Sequence, residues 1–243
     1  MIVQNVVRGF LDALYPPFCL ICGRLSDGPY PHCCPDCFRS FEPIGTSCCE
    51  LCGEPFQDGQ VPHVCLSCIR RPPPFDWCRG VLLYRGALAE ALSRLKYSGA
   101  LPLLQPLVEA LLSNLGASGP LPVVDAIVPV PLSLKGLWKR GFNQSVLLAT
   151  PVARHLKVKV QEGTLRKRGG KPQVGIAASQ RHRNAMSSFL PGPSIDQVKG
   201  KRLLLFDDVF TTGATARACA GILRAEGAKV SVLTLARAGK ASV

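Results

Sequence analysis

The chain reads as an α/β protein, an open and mainly parallel sheet flanked by helices, preceded by a small cysteine-rich domain. Three observations predict this. Four Cys-x-x-Cys pairs crowd the stretch from Cys19 to Cys68. Two short, largely apolar runs bounded by turn residues, Val123–Val128 and Leu203–Phe206, have the pattern of strands buried in a sheet. The second run feeds Asp207 and Asp208, then the small residues Thr211, Thr212, Gly213, Ala214 and Thr215, after which a helical pattern begins. Strand, acidic pair, loop and helix in that order form the crossover unit of an open α/β sheet, whose chemistry collects at the carboxyl ends of its strands.

Length and composition fit that division. The 243 residues hold one core domain and an appendage, and an apolar share of 47% supplies an ample core and argues against disorder. No apolar run approaches the ~20 residues needed to cross a bilayer, so membrane insertion is not expected. The amino terminus lacks the basic, apolar, small-residue order of a signal peptide, which places the protein in the cytoplasm. In that reducing setting twelve cysteines read as metal ligands rather than disulfides. The formal charge of +13 is unevenly placed: Leu132–Arg202 carries fifteen Lys and Arg against Glu162 and Asp196, and the rest balances to zero. An anionic ligand therefore meets the middle of the chain.

In chain order, Val3–Tyr15 carries apolar residues at helical spacing with Gln4, Arg8 and Asp12 opposite, and Pro16 and Pro17 end that helix. The cysteine pairs follow as Cys19/Cys22, Cys34/Cys37, Cys49/Cys52 and Cys65/Cys68, with starts spaced by 15, 15 and 16 residues. A Cys-x-x-Cys turn aims two thiolates at one tetrahedral metal, and two turns complete four-coordinate closure. Pairs one and three continue into Gly23 and Gly53, an internal repeat of about thirty residues that predicts two ribbons in sequence. One structural Zn²⁺ is expected on Cys19, Cys22, Cys34 and Cys37, the other on Cys49, Cys52, Cys65 and Cys68, with no vacant position for catalysis. A cross-braced pairing and a rubredoxin-like iron site use the same ligands. Cys33 and Cys48 can substitute at Cys-x-x-x-Cys spacing, and His32 and His63 are read as bystanders. Metal binding is expected to supply this segment's folding energy. Pro72, Pro73 and Pro74 form a stiff connector, which sets the expected domains at 1–74 and 75–243.

Beyond the prolines, Gly80–Tyr84 predicts a strand, and Ala87–Tyr97 a helix with Leu88, Ala91, Leu92 and Leu95 on one face, stopped by Gly99. Leu101–Leu115 reads as a second apolar helix. Val123–Val128 runs into Pro129, Val130 and Pro131; Lys139 to Ser145 follow, with Asn143 as cap of a helix to about His155. Val158–Arg166 contributes strand, and the basic, glycine-containing Lys167–Arg183 reads as a mobile loop. Arg217–Glu226 extends the helix after the Thr/Gly loop, with Ala218, Ile222 and Ala225 toward the sheet and Cys219 as a small core residue. Gly227 closes it before a last strand over Lys229–Ala236.

Adjacent carboxylates at a strand end repel unless cations, hydroxyl donors or water take up the charge. The small residues of Thr211–Thr215 let backbone N–H groups turn around an anion, Gly213 supplies the positive φ, and the following helix adds its N-terminal dipole. This stretch, Leu203–Thr215, resembles the diphosphoribosyl-binding motif of type I phosphoribosyltransferases. The resemblance implies that fold, with Asp207 and Asp208 on the ribose hydroxyls of phosphoribosyl diphosphate (PRPP) and Thr211, Thr212, Gly213, Ala214 and Thr215 on its 5′-phosphate. It also implies a pyrophosphate loop at Pro129, Val130 and Pro131, with Arg140 beside it, and Mg²⁺ carried with PRPP. Together with the RGFNQS segment, Gln173 in the basic stretch, Arg181–Asn184 and the paired ribbons, the chain resembles the competence protein F family over nearly its whole length. Where relatives carry Arg-x-x-x-Thr-x-x-Gln, this chain has Arg168, Lys171 and Pro172 ahead of Gln173.

The family resemblance implies transfer of phosphoribosyl to an acceptor the sequence does not name, in a setting of DNA uptake. The alternative is a binding protein for single-stranded DNA or other competence proteins, or a PRPP sensor without turnover. Against a dedicated DNA grip, Lys135–Arg202 contains only Trp138, Phe142 and Phe189 for base stacking.

Overall fold

The computed structural model describes residues 17–57, 60–117, 119–169 and 188–239. The expected helix over Val3–Tyr15 lies outside them, as do Lys171, Pro172, Gln173 and Arg181–Asn184. The described chain forms two compact units, one of residues 17–42 and 85–110, the other of 43–84 and 111–239.

The first unit holds the first ribbon. Its knuckle is closed by the Gly23 N–H on the Cys19 carbonyl at 2.8 Å, with Gly23 at φ 77. Cys34 caps the short helix α1 (Pro35–Arg39), which buries Cys37. The second ribbon, in the second unit, repeats this pattern: the Gly53 N–H meets the Cys49 carbonyl at 2.8 Å, Gly53 sits at φ 66, and Cys65 caps α2 (Leu66–Arg70), which buries Cys68. The chain then enters β1 (Cys78–Leu83), two residues earlier than expected because Cys78 pairs with Val232 of the last strand.

Helix α3 (Gly86–Ser98) belongs to the first unit and buries Leu88, Ala91, Leu92 and Leu95, the face its spacing predicts. Gly99 ends it in the left-handed region at φ 64. A 3₁₀ turn over Leu101–Leu103 leads into α4 (Leu104–Ser113).

The second unit is built on a sheet of β1, β2 (Ala126–Pro129), β3 (Lys159–Val160), β6 (Arg202–Phe210) and β7 (Lys229–Arg237). Its order is β1-β7-β6-β2-β3 and every pairing is parallel. This is the open parallel sheet the sequence predicts. Between β2 and β3 run α5 (Leu134–Arg140) and α6 (Gln144–Leu156); α7 (Ala214–Ala225) joins β6 to β7. Leu203, Leu204, Leu205 and Phe206 are wholly buried, so the centre of the sheet is covered on both faces.

β2 starts three residues later than expected, at Ala126, and four further details differ from expectation. β6 does not end at Phe206: β7 continues to pair with it through Phe210↔Arg237, so the acidic pair lies within the strand. Val158–Arg166 is broken by a turn with Gly163 at φ 75, after which β4 (Leu165–Lys167) pairs antiparallel with β5 (Phe189–Pro191). Helix α5 is not expected; its apolar residues Leu134, Leu137 and Trp138 stand at helical spacing but span barely two turns, and none of its residues is buried. On α7 the buried residues are Ala216, Ala218, Cys219, Ala220 and Leu223; Ile222 is half-buried and Ala225 exposed, so the helix turns a slightly different face to the sheet.

Candidate functional site

The connection leaving β2 runs to β3 on one side, while that leaving β6 runs to β7 on the other. Neighbouring strands whose connections diverge open a crevice beyond their carboxyl ends, where open α/β sheets bind ligands. β2 stops at Pro129, paired with Phe206, and the Val130 N–H closes the last rung on the Phe206 carbonyl at 2.8 Å. From Asp207 onward, β6 keeps its partner on the β7 side while β2 has ended.

Both acids there engage the start of α6. The Ser145 hydroxyl donates to Asp207 Oδ1 at 3.1 Å, and Gln144 Nε2 donates to Asp208 Oδ1 at 3.4 Å. The Asp208 N–H adds a bond to Asp207 Oδ1 at 2.9 Å. Asp208 is 5% exposed and Gln144 also 5%, so the bond between them is made out of water, where it is stronger. Arg140 Nη1 donates to Gln144 Oε1 at 2.6 Å, which joins the basic segment to the acidic pair through one amide. Asn143 caps α6 by accepting from the Ser145 N–H at 3.0 Å, and its Nδ2 donates to the Val130 carbonyl at 3.0 Å. Pro129, Val130, Arg140, Asp207 and Asp208 are thus brought to one crevice. The sequence alone does not single out Gln144 and Ser145 as partners of the acids; their one local signal is their place just after the Asn143 cap.

The loop after β6 closes a cleft of about 40 Å³ lined by Asp207, Thr211, Thr212, Gly213, Ala214 and Thr215 among others. Gly213 stands at φ 75 as the N-cap of α7. A Cβ there would lie 2.4 Å from Phe210 Cζ, so only glycine fits both the backbone and the space. The loop N–H groups and the α7 N-terminus suit an anion.

The cysteines form two separate groups, Cys19/Cys22/Cys34/Cys37 and Cys49/Cys52/Cys65/Cys68, each with its sulfurs within 4.8 Å of one another. Pairs one and two therefore close one centre and pairs three and four the other; the cross-braced alternative is excluded. A tetrahedral zinc with bonds of about 2.3 Å needs sulfur–sulfur edges of about 3.8 Å. Cys22 and Cys34 stand 3.7 Å apart, and Cys52 and Cys65 3.8 Å, so the donor sets fit. The Arg24 backbone N–H and guanidinium hold the Cys22 thiol down at about 6, close to the thiolate a metal needs. Cys33 belongs to neither group, and burial pushes its thiol up to about 12; burial raises Cys48 as well. Neither histidine is a ligand: among the described residues both groups contain cysteine alone, and His63 stacks on Phe56 with ring centroids 4.2 Å apart. None of the described helices is long and apolar enough to cross a membrane.

An open parallel sheet with a crevice at its switch point and two structural four-cysteine zinc ribbons define the class of protein. The double zinc ribbon domain family matches residues 10–78. DNA utilization protein YhgH of Escherichia coli K12 is 33% identical over 187 residues, covering 74% of this chain and 79% of its own. Competence protein F of Haemophilus influenzae is 28% identical over 195 residues, covering 78% and 84%. The chain belongs to the competence protein F family. Among solved structures, adenine phosphoribosyltransferase of Saccharomyces cerevisiae aligns over 68% of this chain and 80% of its own at 19% identity and a TM-score of 0.37, a distant resemblance.

Proposed function

We propose that the crevice binds PRPP with Mg²⁺ and transfers its phosphoribosyl group to an acceptor with release of pyrophosphate. The observation that carries this reading is the acidic pair at the switch point, Asp207 half-buried and Asp208 buried, directly followed by the Gly213 loop and the α7 N-terminus. Asp207 and Asp208 take the ribose hydroxyls, Thr211–Thr215 the 5′-phosphate, and Pro129–Pro131 with Arg140 the pyrophosphate. Two adjacent carboxylates are hard oxygen donors of the kind Mg²⁺ prefers, and when bound the ion neutralises charge on the leaving group. The bond from C1 to the pyrophosphate oxygen breaks with its electron pair leaving on pyrophosphate, while the acceptor's lone pair forms the new bond to C1. The chain's own contribution is orientation: it fixes both ends of the ribose phosphate, with Gln144 and Ser145 holding the two carboxylates in place. Cytoplasmic DNA handling is the setting proposed, in line with relatives named for DNA utilization and competence.

Pyrophosphate release from PRPP and Mg²⁺, screened against nucleobases, amines and short single-stranded DNA, tests the transfer. Release with one acceptor class supports it. Tight PRPP binding without release from any of them identifies a sensor instead.

One observation favours a second reading. Trp138 is 87% exposed on α5, with Leu134 exposed beside it and Lys135, Lys139 and Arg140 on the same short helix. An exposed indole among cations is a platform for a stacked base. Single-stranded DNA bound there would be lost on Trp138→Ala, with PRPP binding kept.

A further inference from the structure

The second four-cysteine centre has a neighbour that the sequence repeat does not predict. Arg237, the last residue of β7, is 2% exposed, and its Nη2 donates to Cys52 Sγ at 3.6 Å and to the Glu54 carboxylate. Its Nε and Nη1 are buried and have no hydrogen-bond partner among the described residues. A cation so placed is costly to bury unless negative charge faces it, and Glu54 supplies one such charge. Four thiolates around a divalent zinc leave such a charge, and Cys52 is one of the four.

The other face of the same guanidinium lies over Phe210, its carbon 4.3 Å from the ring centroid. Phe210 is the last residue of β6, and Gly213 is pressed against its ring so closely that a Cβ would overlap it. At the far end of the loop Arg217, on the first turn of α7, donates to the carbonyls of Pro72 and Arg71 at 3.0 and 2.9 Å. Both flanks of Thr211–Gly213 are therefore tied to the segment that carries the second ribbon.

We infer that Arg237 is a positioning residue that couples the second four-cysteine centre to the Thr211–Thr215 loop, balancing the metal–thiolate charge on one side and seating Phe210 and Gly213 on the other. The inference rests on the reading of that loop as the phosphate site of PRPP. Loss of metal from the second centre loosens the loop, because the guanidinium then keeps Glu54 alone as its counter-charge.

The test uses the full chain loaded with cadmium at both centres, observed by cadmium and amide NMR, with PRPP affinity measured by calorimetry. In Arg237→Met, one cadmium resonance moves while the other holds, the amides of Thr211 to Gly213 move, and the PRPP dissociation constant rises about tenfold or more. Arg237→Lys, which returns the charge without the planar fork, recovers part of each change. Cadmium resonances and loop amides that both stay in place in Arg237→Met overturn the inference. Should that variant fail to fold, Phe210→Leu decides: one cadmium resonance that moves together with the loop amides supports the coupling, and two cadmium resonances that hold while the amides move overturn it. A wild-type chain that binds no PRPP removes the ligand assignment alone, and the cadmium and amide shifts then decide the coupling by themselves.

Discussion

The two zinc ribbons are near copies in sequence and local hydrogen bonding, yet the fold uses them differently. In the first, Gly23 at the knuckle faces open space and Arg24 beside Cys22 is well exposed. In the second, the same knuckle is pushed onto the sheet: a Cβ on Gly53 would come within 2.6 Å of the Cys78 carbonyl, and the arginine beside Cys52 is Arg237, drawn from the far end of the chain and buried. A repeat therefore dictates a local motif and leaves its tertiary role open. The first ribbon shares its unit with α3; the second is part of the wall of the domain that carries the crevice.

The largest effect that can break this comparison comes from removing one ligand at each centre. Cys52→Ser is expected to drop bound zinc from two equivalents to one and to unfold the second unit, since metal binding at such a centre supplies on the order of 10 kcal/mol. Cys22→Ser loses one equivalent as well but keeps the sheet's thermal transition and PRPP binding. Metal analysis checks the single lost equivalent in each, circular dichroism melting separates the two, and an equal loss of the thermal transition in both variants would remove the distinction.

A smaller effect compares the knuckle glycines. Gly23→Ala places a side chain in the left-handed region with room around it, at a cost of about 1 kcal/mol. Gly53→Ala adds overlap with backbone to the same conformational penalty and should cost about 3 kcal/mol or more. Urea midpoints of the two variants give the difference directly. Similar values would place Gly53 away from β1.

Much of this was legible in the sequence because its signals are local. The cysteine spacing carries both ribbons, and the four apolar residues before Asp207 carry the central strand. The helix over Gly86–Ser98 follows from its apolar face and its terminal glycine. What could not be read depends on contacts between distant segments. β6 runs on to Phe210 because β7 pairs with it there, and no periodicity in Leu203–Phe210 encodes the partner's length. Gln144 and Ser145 meet the acidic pair only because the sheet order sets β2 beside β6, which brings the start of α6 to their carboxyl ends. Arg237 reaches Glu54 across 183 residues of chain and, in the sequence, is one of twenty-nine basic residues with nothing to mark it. Helix α5 is hard to read for the opposite reason: it is seven residues long and buries nothing, so its short apolar face of Leu134, Leu137 and Trp138 has no partner in the core.

The central claim is that the acidic pair at the switch point holds a ribose phosphate, and calorimetric titration of PRPP with Mg²⁺ into wild type and the Asp207→Asn/Asp208→Asn double variant tests it most directly. The account predicts a saturating, Mg²⁺-dependent isotherm for wild type and none for the double variant, with both zinc equivalents retained. Equal PRPP affinity in the two proteins would contradict it.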